Sequence, residues 1–258
     1  MTYTDINSKT IDSWVENGWE WSTPISSDDF SKAKNGLWRE VKNMVLTPSK
    51  ILPEEWLKPF LRDNRLDGVS VLGLASGGGQ QMPIFAAMGA ECTLLDYSDM
   101  QLSNDRMVAK REGYDISIVK ADMTLRFPFE DESFDIIFHP VSNCYIEDVF
   151  HVWSECFRVL KSGGILLAGM DNGINFLTED DNPLLAVNKL PYNPLKDRGL
   201  YERGLSNNYG IQFSHTIEEQ LGGQLKAGFI LTDLYEDTDN IGMGAYIPNY
   251  IATCAKKQ

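Results

Sequence analysis

A few clusters of residues in this chain could do chemistry. Ala75-Ser76-Gly77-Gly78-Gly79 is a run that neither a strand nor a helix interior tolerates. It forms a tight turn whose backbone can approach a ligand closely. Where such a turn opens on a helix, the free N–H groups suit a carboxylate or a phosphate. Asp96 follows an apolar run and is placed to accept ribose hydroxyls. Asp122 follows another such run; a turn-forming Asp is its plainer reading. His139 is the best-placed proton acceptor, and Asn143 and Tyr145 could meet a second substrate or shape their loop.

The surrounding elements must hold these groups. Residues 69–74 are apolar and rich in β-branched side chains, which reads as a buried parallel strand. Residues 80–88 read as a helix stopped by Gly89, and residues 91–95 as the next strand, with Asp96 at its carboxyl end. Strand, glycine turn, helix, strand and acid make the nucleotide-binding half of a doubly wound sheet. The dinucleotide fingerprint G-x-G-x-x-G would place its third glycine on Met82. A nucleoside with an amino-acid tail needs no cradle for a pyrophosphate. The pattern therefore points to S-adenosylmethionine rather than NAD.

Residues 73–79 resemble the first motif of the class I S-adenosylmethionine-dependent methyltransferases, an acid, one residue, then G-x-G-x-G. Gly73 stands where the acid usually is, and Ala75 replaces the first glycine. An acid there usually helps orient the loop or the methionine amino group, so that contact must come from elsewhere. The string LASGGGQQ is similar to a bacterial, type 11-like subgroup of the family. The resemblance implies a three-layer α/β/α sandwich around a seven-stranded, mostly parallel doubly wound sheet with an antiparallel last strand. It implies that Asp122 accepts the adenine amino group while Met123 covers the ring. It extends the cofactor set to Ala75, Ser76, Gly77, Gly79, Gln80, Asp96, Tyr97, Gln101, Asp122, Met123, His139 and Pro140. Phe127–Asp135 is similar to the family's entry to the fourth strand, and residues 139–145 form the loop where donor and acceptor meet.

The rest of the chain frames this core. Residues 1–65 carry five of the six tryptophans and read as an N-terminal helical extension. Residues 6–19 suggest a helix with Ile11, Trp14, Val15 and Trp19 on one face. Those aromatics either dock the extension or form a lid, like the N-terminal helices of related methyltransferases, and Trp14 is a candidate acceptor contact. Residues 66–258 are the methyltransferase domain. Val149, Trp153, Cys156, Phe157 and Leu160 are spaced for a buried helix stripe stopped by Gly163-Gly164, before a fifth strand at 165–170. Residues 171–210 are an insertion expected to cover the sheet edge and supply the acceptor pocket, with Tyr192 among its lining. Ile217, Leu221 and Leu225 share a helix face after the Thr216–Glu219 capping box, and strands at 229–235 and 246–254 close the sheet.

Composition narrows the function. The formal net charge of -14, from 23 basic and 37 acidic residues, opposes a duplex-nucleic-acid binder and argues against RNA. The N-terminus lacks a basic start and an apolar core, and no run approaches a membrane span, so a cytoplasmic protein without a membrane partner is expected. The four cysteines show no CxxC pairing, which argues against structural zinc, and no metal site is expected. No D/N-P-P-Y/F string follows the fourth strand, which favours a small-molecule acceptor. The product would be S-adenosylhomocysteine. An RNA or protein methyltransferase and a non-catalytic binder of the same nucleosides stay open. An NAD-dependent oxidoreductase is opposed by Met82 and by the final strand pair.

Overall fold

In a computed structural model, which describes residues 1–179 and 182–258, seven strands form one sheet. They are β1 (Ser70–Leu74), β2 (Glu91–Asp96), β3 (Ile116–Lys120), β4 (Phe134–His139), β5 (Leu160–Asp171), β6 (Ile230–Asp237) and β7 (Tyr250–Lys256). The order is β3-β2-β1-β4-β5-β7-β6, with β7 antiparallel to both of its neighbours and all others running one way. This is the expected sheet.

Alternation along the strands divides the core in two. Val71, Leu94, Ile136 and Leu167 face one layer, while Leu72, Leu95, Ile137 and Leu166 face the other. The first layer holds α4 (Gln81–Ala87) and part of α5 (Asp99–Glu112). The second holds α6 (Val149–Val159). On α6, Val149, Trp153 and Cys156 are buried as their spacing predicts. Strand β5 starts earlier than expected, because Leu160 pairs with Phe134 and the Gly163 amide donates to the Lys257 carbonyl. The two glycines therefore lie within an irregular strand start instead of stopping the helix.

The extension is built in two parts. Helix α1 (Tyr3–Glu16) ends before Trp19. Helix α2 (Ser27–Lys34), the turn at Trp38–Glu40 and α3 (Glu54–Leu57) pack into the first core layer through Phe30, Trp38, Val41, Met44, Trp56 and Leu57. The short run before Pro48 crosses β5 where Gly169 has no side chain: a Cβ there would lie 2.0 Å from the Leu46 carbonyl oxygen. Residues 171–210 contain α7 (Arg198–Ser206). Helix α8 (Gly223–Ala227) follows a π turn at Glu218–Gly222 and the complete Thr216/Glu219 capping box. Ile217 and Leu225 are exposed there, and the buried face is Gln220 and Gln224. Among the described residues no helix is long and apolar enough to cross a membrane, and no cluster of His, Cys, Asp and Glu could hold a metal ion.

Candidate active site

The carboxyl ends of β3, β2, β1, β4 and β5 stand side by side around one cavity of about 420 Å³. Across that row they present Asp122, Asp96, the turn at Ala75–Gly77, the loop at Pro140–Ser142, and Asp171.

The turn is held by carboxylates. Ala75 has a positive φ of 48°, and its N–H donates to the Leu95 carbonyl at 2.8 Å. The Gly77 amide donates to Asp96 Oδ2 at 3.0 Å. The Gly78 and Gly79 amides both donate to Asp105 Oδ2 at 2.9 Å. Asp105 lies on the buried stripe of α5 with Leu102 and Val108 and is fully buried. Burial pushes its carboxyl up to about 7, against the pull of the two amides. Asp105 and Asp96 thus anchor the turn that the motif's missing acid would have helped orient. An acid could not stand at residue 73 in this packing, since a Cβ on Gly73 would lie 2.4 Å from the Met82 sulfur. Met82 is the residue that departs from the dinucleotide fingerprint. Gly79 does not line the cavity. A Cβ on it would lie 2.8 Å from the Val108 side chain, so this glycine serves helix packing instead.

Asp96 also accepts the Ser98 amide on Oδ1 at 3.0 Å, and burial raises its pKa. Gln101 lines the cavity, and its buried Oε1 has no partner. Asp122 Oδ1 accepts from both the amide and the hydroxyl of Thr124, and Met123 lies beside it.

His139 differs from its expected role. It is fully buried at the end of β4 and does not line the cavity. Nδ1 contacts the Leu74 carbonyl at 2.9 Å and Nε2 the Asn143 side chain at 2.8 Å, and burial lowers its pKa. The ring ties β4 to β1 and does not itself reach the cavity; its Nδ1 also lies 3.3 Å from the hydroxyl of Ser142, which does. Asn143 is likewise sealed, its Nδ2 donating to Gln220 Oε1 at 2.8 Å. The loop carries them inward because its polar side chains satisfy one another beneath the cavity floor. Pro140 and Tyr145 do line the cavity. Tyr192 does not; it packs on Phe176, with ring centroids 5.3 Å apart, and Phe176 holds the lining position instead.

The cap is α1. Its buried residues are Thr4, Asn7 and Thr10, and it lines the cavity with Thr4, Asn7, Ser8, Ile11 and Trp14, joined by Trp19 and Trp21. The apolar stripe of this helix therefore covers a space instead of a core. Polar contacts hold it down. Asn7 Nδ2 donates to the Tyr145 and Ile211 carbonyls, and Asn7 Oδ1 accepts from the Ile211 amide at 2.6 Å. Ser8 donates to the Tyr97 carbonyl, the Tyr97 hydroxyl to Asp5, and Trp14 Nε1 to the Asn208 carbonyl at 2.8 Å. Gln80 joins the glycine turn to the cap by donating to the Glu20 and Thr23 carbonyls.

Comparison with known proteins identifies this arrangement. Residues 72–168 match the family described as "Methyltransferase domain". A Bacillus subtilis (strain 168) protein named "Uncharacterized methyltransferase YbaJ" is 41% identical over 257 residues, covering 97% of each chain. The chain belongs to the class I S-adenosylmethionine-dependent methyltransferases. "Squalene methyltransferase 1" of Botryococcus braunii is 30% identical over 162 residues, 61% of this chain and 40% of that one. A Mesorhizobium loti S-adenosylmethionine-dependent methyltransferase shares the fold at a TM-score of 0.57 and 20% identity, over 78% of this chain and 95% of that one. A geranyl diphosphate methyltransferase structure shares it at 0.56 and 14%, over 80% and 77%.

The methyltransferase's own residues fit the methyl donor. At Gly77 a Cβ would meet Gln101 at 2.7 Å and Asp96 Oδ2 at 2.8 Å, so only glycine leaves the backbone clear there. Gln101 Oε1 offers a buried acceptor with no protein partner. The sequence reading passed over Asp105, Trp21, Phe176, Tyr250 and Asp171. Two of them carried a signal. Asp105 is a charge in an apolar helix stripe, and Asp171 follows a buried strand as Asp96 does.

Proposed function

We propose that this methyltransferase moves a methyl group from S-adenosylmethionine to a small, largely apolar molecule held beneath α1. The observation that carries the reading is the cavity's aromatic lining, to which Trp14, Trp19, Trp21, Tyr145, Phe176 and Tyr250 contribute. Such a lining suits a compact apolar acceptor better than a charged polymer. The formal net charge of -14 points the same way. Relatives named for squalene and sterol methylation add support.

In this reading Asp122 and Met123 receive the adenine, Asp96 the ribose, and Ser76, Gly77, Gln80 and Gln101 the amino-acid tail, with Tyr97 and Pro140 beside them. Trp14 and Tyr145 contact the acceptor. The bound sulfonium supplies an already activated methyl group. The protein's part is to align the acceptor and exclude water, so proximity dominates the rate. Within the extension, the lid role falls to residues 3–22, while the later tryptophans dock residues 25–65 on the core.

Calorimetric titration with S-adenosylmethionine, S-adenosylhomocysteine and NADH is the test. Micromolar binding of the first two and none of the third is expected. Binding of neither adenosyl compound sinks the reading. Transfer of radiolabel from S-adenosylmethionine into tRNA but not into a deproteinised cell extract would replace the small-molecule acceptor with RNA.

A further inference from the structure

Asp171 has no role in the arrangement described so far. It ends β5, lines the cavity and is 3% exposed. Its Oδ1 accepts the Gly173 amide at 2.8 Å, while Oδ2 is buried with no partner. Cys144 and Tyr145 face it from the turn after β4, and Tyr250 faces it from β7, its hydroxyl donating to Asp239 at 3.2 Å. No Lys or Arg among the described residues pairs with it. A carboxylate oxygen buried this way is costly unless a ligand brings it a donor.

Position in the sheet says which ligand. The row of strand ends runs from Asp122 through Asp96 and the glycine turn to the β4 loop and then Asp171. Adjacent strands lie about 4.8 Å apart. With adenine at one end of the row and the amino-acid tail in the middle, Asp171 stands on the far side, beside Tyr145 and opposite Tyr250 on β7. The other cavity carboxylates are engaged, Asp96 by Gly77 and Ser98 and Asp122 by Thr124, and His139 is sealed.

We propose that Asp171 takes the proton released by an acceptor that is methylated on a hydroxyl or amine, and that it is the counter-charge facing the sulfonium. The inference rests on the function proposed above. As the acceptor's lone pair forms its bond to the methyl carbon, the carbon–sulfur bonding pair stays on sulfur and the O–H or N–H proton passes to Asp171 Oδ2. A sulfonium and a carboxylate become a neutral thioether and a neutral acid. Burial supports the step by raising the Asp171 carboxyl to about 6, so that it holds the proton more readily than an exposed aspartate.

The test needs no acceptor. S-adenosylmethionine and S-adenosylhomocysteine are titrated into the full chain near pH 6, in buffers of different ionisation enthalpy, with wild type and Asp171→Asn. The sulfonium should drive Asp171 to its charged form, so the wild type releases more protons with S-adenosylmethionine than with S-adenosylhomocysteine. The variant should lose that excess. An equal excess in wild type and variant, or no excess in wild type, overturns the proposal. If Asp171→Asn fails to fold, Asp171→Ser replaces it, and in the wild type the excess should peak near pH 6 and fade on both sides. Failure of either nucleoside to bind the wild type would instead overturn the cofactor placement on which the proposal rests.

Discussion

The floor of the cavity and its cap follow opposite rules. The floor is apolar packing under a polar rim: β1, β4 and α6 bury Leu72, Ile137 and Trp153, and the glycine turn is pinned from behind by buried carboxylates. The cap reverses this. Helix α1 is held by polar contacts from Asn7 and Ser8, and it lines the cavity with Thr4, Asn7 and Ser8 as well as with Ile11 and Trp14. A floor made this way is fixed, because opening it would expose core. A cap held by hydrogen bonds to carbonyls exchanges those bonds for bonds to water, each worth only about 1 kcal/mol net. The difference suits a site whose donor seat stays rigid while its cover admits substrate.

Trp153→Ala probes the floor most severely. It should lower stability by about 3–5 kcal/mol in chemical denaturation, because Trp153 is fully buried, donates to the Glu219 carbonyl and meets His139 edge-on. A loss as small as that of an exposed residue would break the rigid-floor half of the comparison.

Asp105→Ala removes the acceptor of the Gly79 amide and leaves the Gly78 amide only its longer bond, 3.2 Å, to the Gln101 carbonyl. It should weaken S-adenosylhomocysteine binding by about 10- to 100-fold, the equivalent of about 1.4–2.8 kcal/mol, with a smaller loss for Asp96→Ala. Full affinity in a folded Asp105→Ala protein would show that the turn keeps its shape unaided.

The pH dependence has a defined sign. The Asp105 carboxyl is raised in the folded state, so its contribution favours folding below the ordinary aspartate value and is lost as pH rises through about 7. Thermal unfolding should therefore show wild type losing stability relative to Asp105→Asn as pH rises from about 4 to about 7. Buried His139 and His215 act oppositely, since their pKa values are lowered, so the comparison with the variant is the informative quantity.

The cap should give the smallest effects on stability. Asn7→Ala should cost about 1–3 kcal/mol locally, read as faster hydrogen exchange over α1 and faster release of bound nucleoside. Trp14→Ala should change global stability by less than about 1 kcal/mol while reducing turnover, since Trp14 is half-buried and faces the cavity. A global loss as large as that at Trp153 would make α1 part of the core and remove the distinction.

The floor was legible in the sequence, while the cap was legible only as one of two alternatives, a docked extension or a lid, for the same reason. In β1, α5 and α6, periodicity reports burial against other elements, so strands, caps and the Val149–Trp153–Cys156 stripe fell where spacing placed them. In α1 the Ile11–Trp14 face is just as periodic, but it meets a space that exists only in three dimensions. His139 and Asn143 were read as reaching the site because they follow a strand. Their mutual contact, and that with Gln220, depends on an element far along the chain. The same limit applied to Tyr192, which reaches the cavity only through Phe176.

Met82 occupies the space beside Gly73, and the turn is anchored from α5. The glycine turn is thus not a self-contained loop. A chimera that received residues 73–82 from this chain without Asp105 would lack the carboxylate that holds the Gly78 and Gly79 amides, and an acidic residue at 73 would force Met82 to shift. A transplant of this turn must therefore carry everything from β1 through α5 together.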